Sequence, residues 1–311
     1  MRLVITGGLG HIGSGLLAQI NTFTEITEVL VIDNLSSNKL YVLFNKKNKM
    51  PIQFIEGDII RLNLDKILKK NDILIHLAAI TNAAESFKNK DEIFYNNFLS
   101  TKKIADIAHK KKLKCIFLSS TSVYGSSQSF MLEDDKKNID PQSPYADCKI
   151  KEEKYIISKS KKEKIKTIIL RLGTIFGPSE GMRFHTAVNK FCYQAAFNKS
   201  LTIWKTAYTQ KRPYLDLNDA IQCIKFIISN NLFDNDVYNI ATNNISVKNL
   251  LNNIRKYKKI KIKFVANKIM NQLSYEASCK KISEKGFKFK GNLDRQIKNT
   301  LKLFSGIKNE L

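Results

Sequence analysis

The sequence predicts an α/β fold, a doubly wound parallel sheet followed by a smaller, mixed C-terminal lobe. Two observations predict it. Six short apolar runs alternate with helical patterns over residues 3–170, and a glycine-rich turn joins the first run to the first helix. Runs that are apolar at every position are strands buried on both faces. That is the pattern of a parallel sheet covered by helices on each side.

The elements follow in order. Leu3-Val4-Ile5 reads as the first strand, and 13–20 as the first helix. Residues 29–32, 52–55 and 73–75 read as the next three strands, 115–118 as the fifth and 167–170 as the sixth. The spacing predicts one long helix over 91–112. Pro144 suits a first helical turn and opens a second long helix over 144–162. After Gly177-Pro178 the pattern loosens, and a helix over 186–198 starts the smaller lobe. The expected division is 1–177, with 207–241 returning to it, as the doubly wound domain, and 178–206 with 242–311 as the smaller lobe.

Bulk properties exclude several classes. The 311 residues are 43% hydrophobic, which is ordinary for a globular chain with a sizeable core. No apolar run approaches the ~20 residues of a membrane span. The opening Met1-Arg2-Leu3-Val4-Ile5-Thr6-Gly7 is too short and too soon interrupted for a signal peptide. The five cysteines are far apart and form no CxxC pair, so reduced thiols and a cytoplasmic location are expected. The four histidines are scattered, with no metal-ligand spacing, and no metal is expected. The net charge of +24 comes mostly from lysines spread along the chain beside many Asn and Ile. These residues share A/T-rich codons, and no nucleic-acid motif accompanies the charge, so no nucleic-acid partner is expected. The charge can still attract an anionic substrate.

The turn after the first strand reads Gly7-Gly8-Leu9-Gly10-His11-Ile12-Gly13. Glycines at 7, 10 and 13 permit a tight turn, close approach of a pyrophosphate, and tight packing of helix on strand. The helix start offers free N–H groups and partial positive charge. Asp33 ends the second strand, where a carboxylate can accept both ribose hydroxyls of NAD and repels the extra phosphate of NADP. No arginine follows it directly, so NAD is favoured. Asp58, at the end of the third strand, is either an adenine contact or a helix cap.

Tyr145 and Lys149 stand four residues apart, on one helix face. A free phenol, with a pKa near ~10, is a poor base at neutral pH. A nearby ammonium favours the phenolate and is expected to lower that value. Such a pair can take a proton from a sugar hydroxyl while hydride leaves to a nicotinamide. Ser120, in Ser119-Ser120-Thr121-Ser122-Val123-Tyr124-Gly125, follows the fifth strand at the ligand-binding edge of such sheets.

With these motifs the sequence resembles the extended short-chain dehydrogenases/reductases, specifically the NAD-dependent nucleotide-sugar epimerase/dehydratase group typified by UDP-glucose 4-epimerase. The resemblance runs through Asp33-Asn34-Leu35-Ser36, Gly57-Asp58, His76-Leu77-Ala78-Ala79, Tyr95-Asn96-Asn97, Pro144-Tyr145-xxx-Lys149, 171–178, Arg212-Pro213-Tyr214-Leu215-Asp216 and Tyr238-Asn239-Ile240-Ala241. It implies a Rossmann domain with NAD held by Gly7, Gly10, His11, Ile12, Gly13, Asp33, Asn34, Asp58, Ile59, Leu77, Ala78, Ala79, Asn97, Tyr145 and Lys149. It implies Tyr145 as general base and acid, Lys149 as the group that holds the nicotinamide ribose and tunes Tyr145, and Ser120 as the hydroxyl that meets both sugar and phenol. Thr81, Ser120, Tyr145, Arg183 and Arg212 are the implied substrate contacts, with Arg212 on the substrate diphosphate. A homodimer, paired through the helices from Asp91 and from Pro144, is a further implication.

The sequence also departs from the group. Dehydratases carry Asp-Glu after the hydroxyl residue, where this chain has Thr121-Ser122, which argues against 4,6-dehydration. Gly173 stands where the group often has Asn. The usual late arginine is missing, with Asn267-Lys268-Ile269-Met270 nearby, so Arg183 and Lys205 become candidate phosphate or carboxylate contacts. The expected function is a nucleotide-sugar epimerase that oxidises a sugar carbon, C4, transiently through bound NAD. The alternatives are an NAD(P)-dependent keto-sugar reductase or dehydrogenase and a non-catalytic NAD-binding regulatory protein.

Overall fold

Seven strands, every neighbouring pair parallel, form the central sheet of the computed structural model. The structure describes residues 1–44, 49–83, 85–125, 130–266 and 274–307. Across the sheet the strands run Val237–Ile240, Lys166–Leu172, Lys114–Ser120, Ile73–His76, Arg2–Thr6, Glu28–Asp33 and Ile52–Glu56. The first strand sits inside the sheet, and the chain winds outward from it in both directions. The reversal falls between Arg2–Thr6 and Ile73–His76, and a crevice opens there beyond the carboxyl ends of the strands. Register places Thr6 beside both Ile32 and His76, so Thr6, Asp33, His76 and Ser120 all lie at that edge.

Side chains along each strand alternate between two cores. Leu3 and Ile5 pack on one face with Leu16 of the helix His11–Gln19 and Ile221 of the helix Leu217–Ser229. Val4 and Leu74 pack on the other with Ile104 of Leu99–Lys111 and Ile156 of Pro144–Glu163. Fully burying one such side chain contributes about 1.5–3 kcal/mol, so each strand is fixed from both sides. Helix Pro144–Glu163 begins as its sequence suggests. Ser143 Oγ accepts from Ala146 N at 3.2 Å, and Pro144 occupies the first turn.

The helix expected over 91–112 differs in one respect. It is built as Lys90–Ile93, a wide π-helical turn Phe94–Phe98, and Leu99–Lys111. The extra residue in that turn presents the Asn97 amide to the backbone of Ile80, where it both accepts (2.7 Å) and donates (2.8 Å).

A second, smaller sheet joins Thr174–Phe176, Lys211–Asp216 and Asn243–Ser246. Leu201–Trp204 pairs in parallel with Ile262–Val265. Phe176, Val188, Phe191, Leu250 and Ile297 make the core of this region, while Ile282 and Phe287 return to the core of the main sheet. The helix expected over 186–198 is Ala187–Ala196. The stretch 267–270 lies outside the described residues. No helix among the described residues is long and apolar enough to cross a membrane.

Candidate active site

The glycine turn makes one wall of the crevice. Gly7 takes φ +65°, and a Cβ there would stand 2.6 Å from Ala78 N. A Cβ on Gly13 would stand 2.3 Å from Gly8 O, so the helix can only press this closely on the turn without a side chain. At Gly10 the nearest groups are looser, Gly7 O at 3.3 Å and the Arg183 guanidinium at 3.7 Å. Gly10 caps the helix His11–Gln19 and, having no side chain, leaves its first N–H groups without a side-chain cap. Asp33 bridges the turn to its own loop, accepting from Leu9 N at 3.1 Å and Leu35 N at 3.0 Å.

Two adjoining cavities open over this wall, sharing Gly7, Gly10, Leu77, Ala78, Ala79 and Arg183. The first is lined by Asp33, Asn34, Asp58 and Ile59, with Ser36 and Ser37 in addition. Asp58 also accepts from Ile60 N at 2.8 Å, so it caps its loop and faces the cavity at once. The second cavity, about 250 Å³, is lined by His11, Ile12, Gly13, Thr81, Ser120, Tyr145 and Lys149. Residues brought close only by folding join them, including His76, Ser122, Gly173, His185 and Thr186. Among the described residues that line this second cavity none is Asp or Glu.

Tyr145 and Lys149 face the same cavity, with the Lys149 Nζ 5.8 Å from the centre of the phenol ring. Ser120 Oγ accepts from Ser122 N at 3.1 Å. Lys149 acts on the phenol in the expected direction, lowering its pKa, but a larger effect opposes it. Burial pushes Tyr145 above its ordinary value and outweighs the pull of Lys149. His11 and His76 are neutral for the same reason. Burial carries His11 down to about 4 and His76 to about 3, while Gly177 O holds His11 Nε2 at 2.8 Å and Thr6 Oγ1 lies 2.7 Å from His76 Nδ1.

With this geometry in place, comparison with known proteins is decisive for the family. The profile of the NAD dependent epimerase/dehydratase family matches residues 3–241. The chain belongs to that family. It is 30% identical over 262 residues to a dTDP-D-glucose 4,6-dehydratase of Dictyostelium discoideum, covering 78% of this chain and 58% of that relative. Its structure is similar to a UDP-N-acetylglucosamine 4-epimerase from Methanobrevibacter ruminantium M1 solved with UDP-N-acetylmuramic acid, at TM-score 0.84, 26% identity and 97% coverage of both chains. It is similar also to a UDP-glucuronic acid 4-epimerase from Bacillus cereus solved with UDP-glucuronic acid and NAD, at TM-score 0.82, 25% identity, and 98% and 99% coverage.

The residues of this epimerase/dehydratase family member fit the dinucleotide. Its glycine cradle leaves no room for a Cβ at 7 or 13, its helix start carries no side-chain cap, and Asp33 stands at the next strand end. Three positions expected at the site sit elsewhere. Asn97 lines neither cavity; buried, it pins Ile80, whose loop forms the cavity rim, and Asn96 lines the first cavity instead. Arg212 also lines neither cavity. Its guanidinium lies over the Tyr275 ring at 5.6 Å, and Tyr275 Oη donates to Thr121 O at 2.8 Å, so Arg212 packs behind the Ser120 turn. Lys205, too, is absent from both linings. At Gly173, where the sequence departs from the group, a Cβ would stand 3.0 Å from the backbone of Pro213.

Behind the site lies a buried network that the sequence did not announce. Arg171 donates to both oxygens of Glu153, at 2.9 and 2.7 Å, and to Tyr124 Oη at 2.9 Å. Glu153 also accepts from Ser119 Oγ at 2.5 Å, and Tyr124 donates to Asn239 Oδ1 at 2.7 Å. Ser119 precedes Ser120, so the network holds the strand end that carries the Ser120 hydroxyl. Single residues gave no signal for it, because its members come from four separated segments.

Proposed function

We propose that this chain is a nucleotide-sugar epimerase working at C4. Tyr145 is the acid and base, Ser120 orients the reacting hydroxyl, and Lys149 holds the ribose of the cofactor and supports the phenolate. The observation that carries this reading is the composition of the larger cavity. Tyr145, Lys149 and Ser120 converge there, and none of the described residues that line it is Asp or Glu. Eliminating water from a sugar needs an acid and a base beside the carbons that lose it. A redox-neutral inversion needs only one group that takes the hydroxyl proton and gives it back.

NAD, when bound, would supply the hydride acceptor and donor. Gly7, Gly10, Gly13 and the first turn of the helix receive its pyrophosphate. Asp33 and Asn34 take the adenosine ribose, and Asp58 and Ile59 border the adenine. Leu77, Ala78 and Ala79 form the apolar floor between the two cavities. Arg183, which borders both, meets the diphosphate of the substrate, and Thr81 contacts its sugar.

Incubation with UDP-, GDP-, CDP-, ADP- and dTDP-hexoses, with products separated by chromatography, tests the proposal. An interconversion of C4 epimers without net NADH supports it. A 4-keto-6-deoxy product, or stoichiometric NADH, replaces it with a dehydratase or a dehydrogenase.

A further inference from the structure

The Lys149 ammonium has a buried partner outside the proton-transfer set. Its Nζ stands 2.9 Å from Glu152 Oε2 and donates to Leu118 O at 3.1 Å. The two side chains are only 6% and 5% exposed. Glu152 is fixed from behind, accepting from Thr101 Oγ1 at 3.2 Å and from Cys148 Sγ at 3.5 Å. A carboxylate this far from water is tolerated only when paired and hydrogen-bonded, and Lys149 is the cation that pairs it. Positions 145, 149 and 152 share one face of Pro144–Glu163, so phenol, ammonium and carboxylate form a row.

A carboxylate at one end of that row weakens what the ammonium does at the other. Burial raises the Tyr145 pKa, Lys149 lowers it and Glu152 raises it again. From the neighbouring loop Arg183 favours the phenolate. At the strand end His76 is held neutral, with its pKa down at about 3, and on the same helix the Cys148 thiol is pushed up to about 12. Among the described groups that act most strongly on Tyr145, Glu152 is the one carboxylate.

We propose that Glu152 is a positioning residue that anchors the Lys149 ammonium and weakens its support of the Tyr145 phenolate, displacing the enzyme's working range to higher pH. The inference rests on Tyr145 being the acid and base of the reaction. Glu152→Gln keeps an oxygen acceptor for Lys149 and removes the charge. Glu152→Met removes the charge and fills the space, and serves where the glutamine variant does not fold.

Two readouts test it. One is the pH profile of kcat/KM for sugar interconversion. The other is the ultraviolet titration of the Tyr145 phenol in the NAD-loaded protein, isolated from the remaining tyrosines by subtracting Tyr145→Phe. In either variant the acid limb and the phenol midpoint are expected to move down by about one pH unit, a tenfold gain in kcat/KM on the acid side. Superposition of both readouts on the unsubstituted enzyme, with Tyr145→Phe inactive, overturns the role of Glu152 alone. An active Tyr145→Phe overturns the underlying reading instead, and the phenol midpoint still reports on Glu152.

Discussion

Arg171→Met tests how the fold holds its site. The methionine is close to arginine in length, so the cavity left is small. What changes is that Glu153 stays buried with the Ser119 hydroxyl and without the guanidinium that now bonds both its oxygens. Breaking a buried pair by removing one partner costs about 3–5 kcal/mol. For a chain of this size that lowers Tm by roughly 5–8 °C. The double variant Arg171→Met with Glu153→Leu leaves no orphan charge. Its loss is expected to be smaller than that of the single change by about 1 kcal/mol or more, because the two sites are coupled. Urea denaturation followed by circular dichroism at neutral pH measures both. A single variant within about 0.5 kcal/mol of the unsubstituted protein, or a double variant as unstable as the sum of two singles, refutes the reasoning. The single variant is also expected to lose kcat, since Ser120 follows the serine that Glu153 holds.

Other substitutions probe the chemistry. Tyr145→Phe is expected to lower kcat by about 10²–10⁴-fold while NAD affinity changes little, which fluorescence titration of NAD beside the rate assay measures. Asp33→Ser is expected to weaken NAD and narrow its advantage over NADP by about tenfold; equal discrimination before and after, by calorimetry, contradicts the role of Asp33. Stability is expected to fall with pH because of His11 and His76. Both are held below an ordinary value of 6.5, at about 4 and about 3. The unfolded chain therefore binds the extra protons, and stability present above pH 6.5 is lost as pH falls from there toward 4. Their joint contribution between pH 7 and 5 is about 2–4 kcal/mol. His76→Asn is expected to flatten that decline in urea midpoints; an unchanged slope sinks this explanation.

Much of the fold was legible because the signals are local. Continuous apolar runs mark strands buried on both faces, Ser143-Pro144 marks a helix start, and the glycine turn is a short contiguous motif. Tyr145 and Lys149 were legible for the same reason, as spacing on one helix fixes their common face. What escaped depends on contacts between distant segments. Leu201–Trp204 finds Ile262–Val265 across the smaller region. Gly173 lies close against the backbone of Pro213. Arg212 carries a family motif, yet Tyr275 draws it behind the Ser120 turn. The phenol pKa was read from its neighbour in sequence, but burial, which spacing does not reveal, outweighs that neighbour. Glu152 looks like any helix-surface acid until the fold closes over it.

The most direct measurement follows a deuterium placed at C4 of the sugar in a nucleotide-sugar that the enzyme turns over. If Tyr145 moves the hydroxyl proton while hydride leaves and returns at the same carbon, the label stays at C4 in both epimers and none is exchanged with solvent. Deuterium found at C6, or washed out to water while epimers interconvert, contradicts that mechanism.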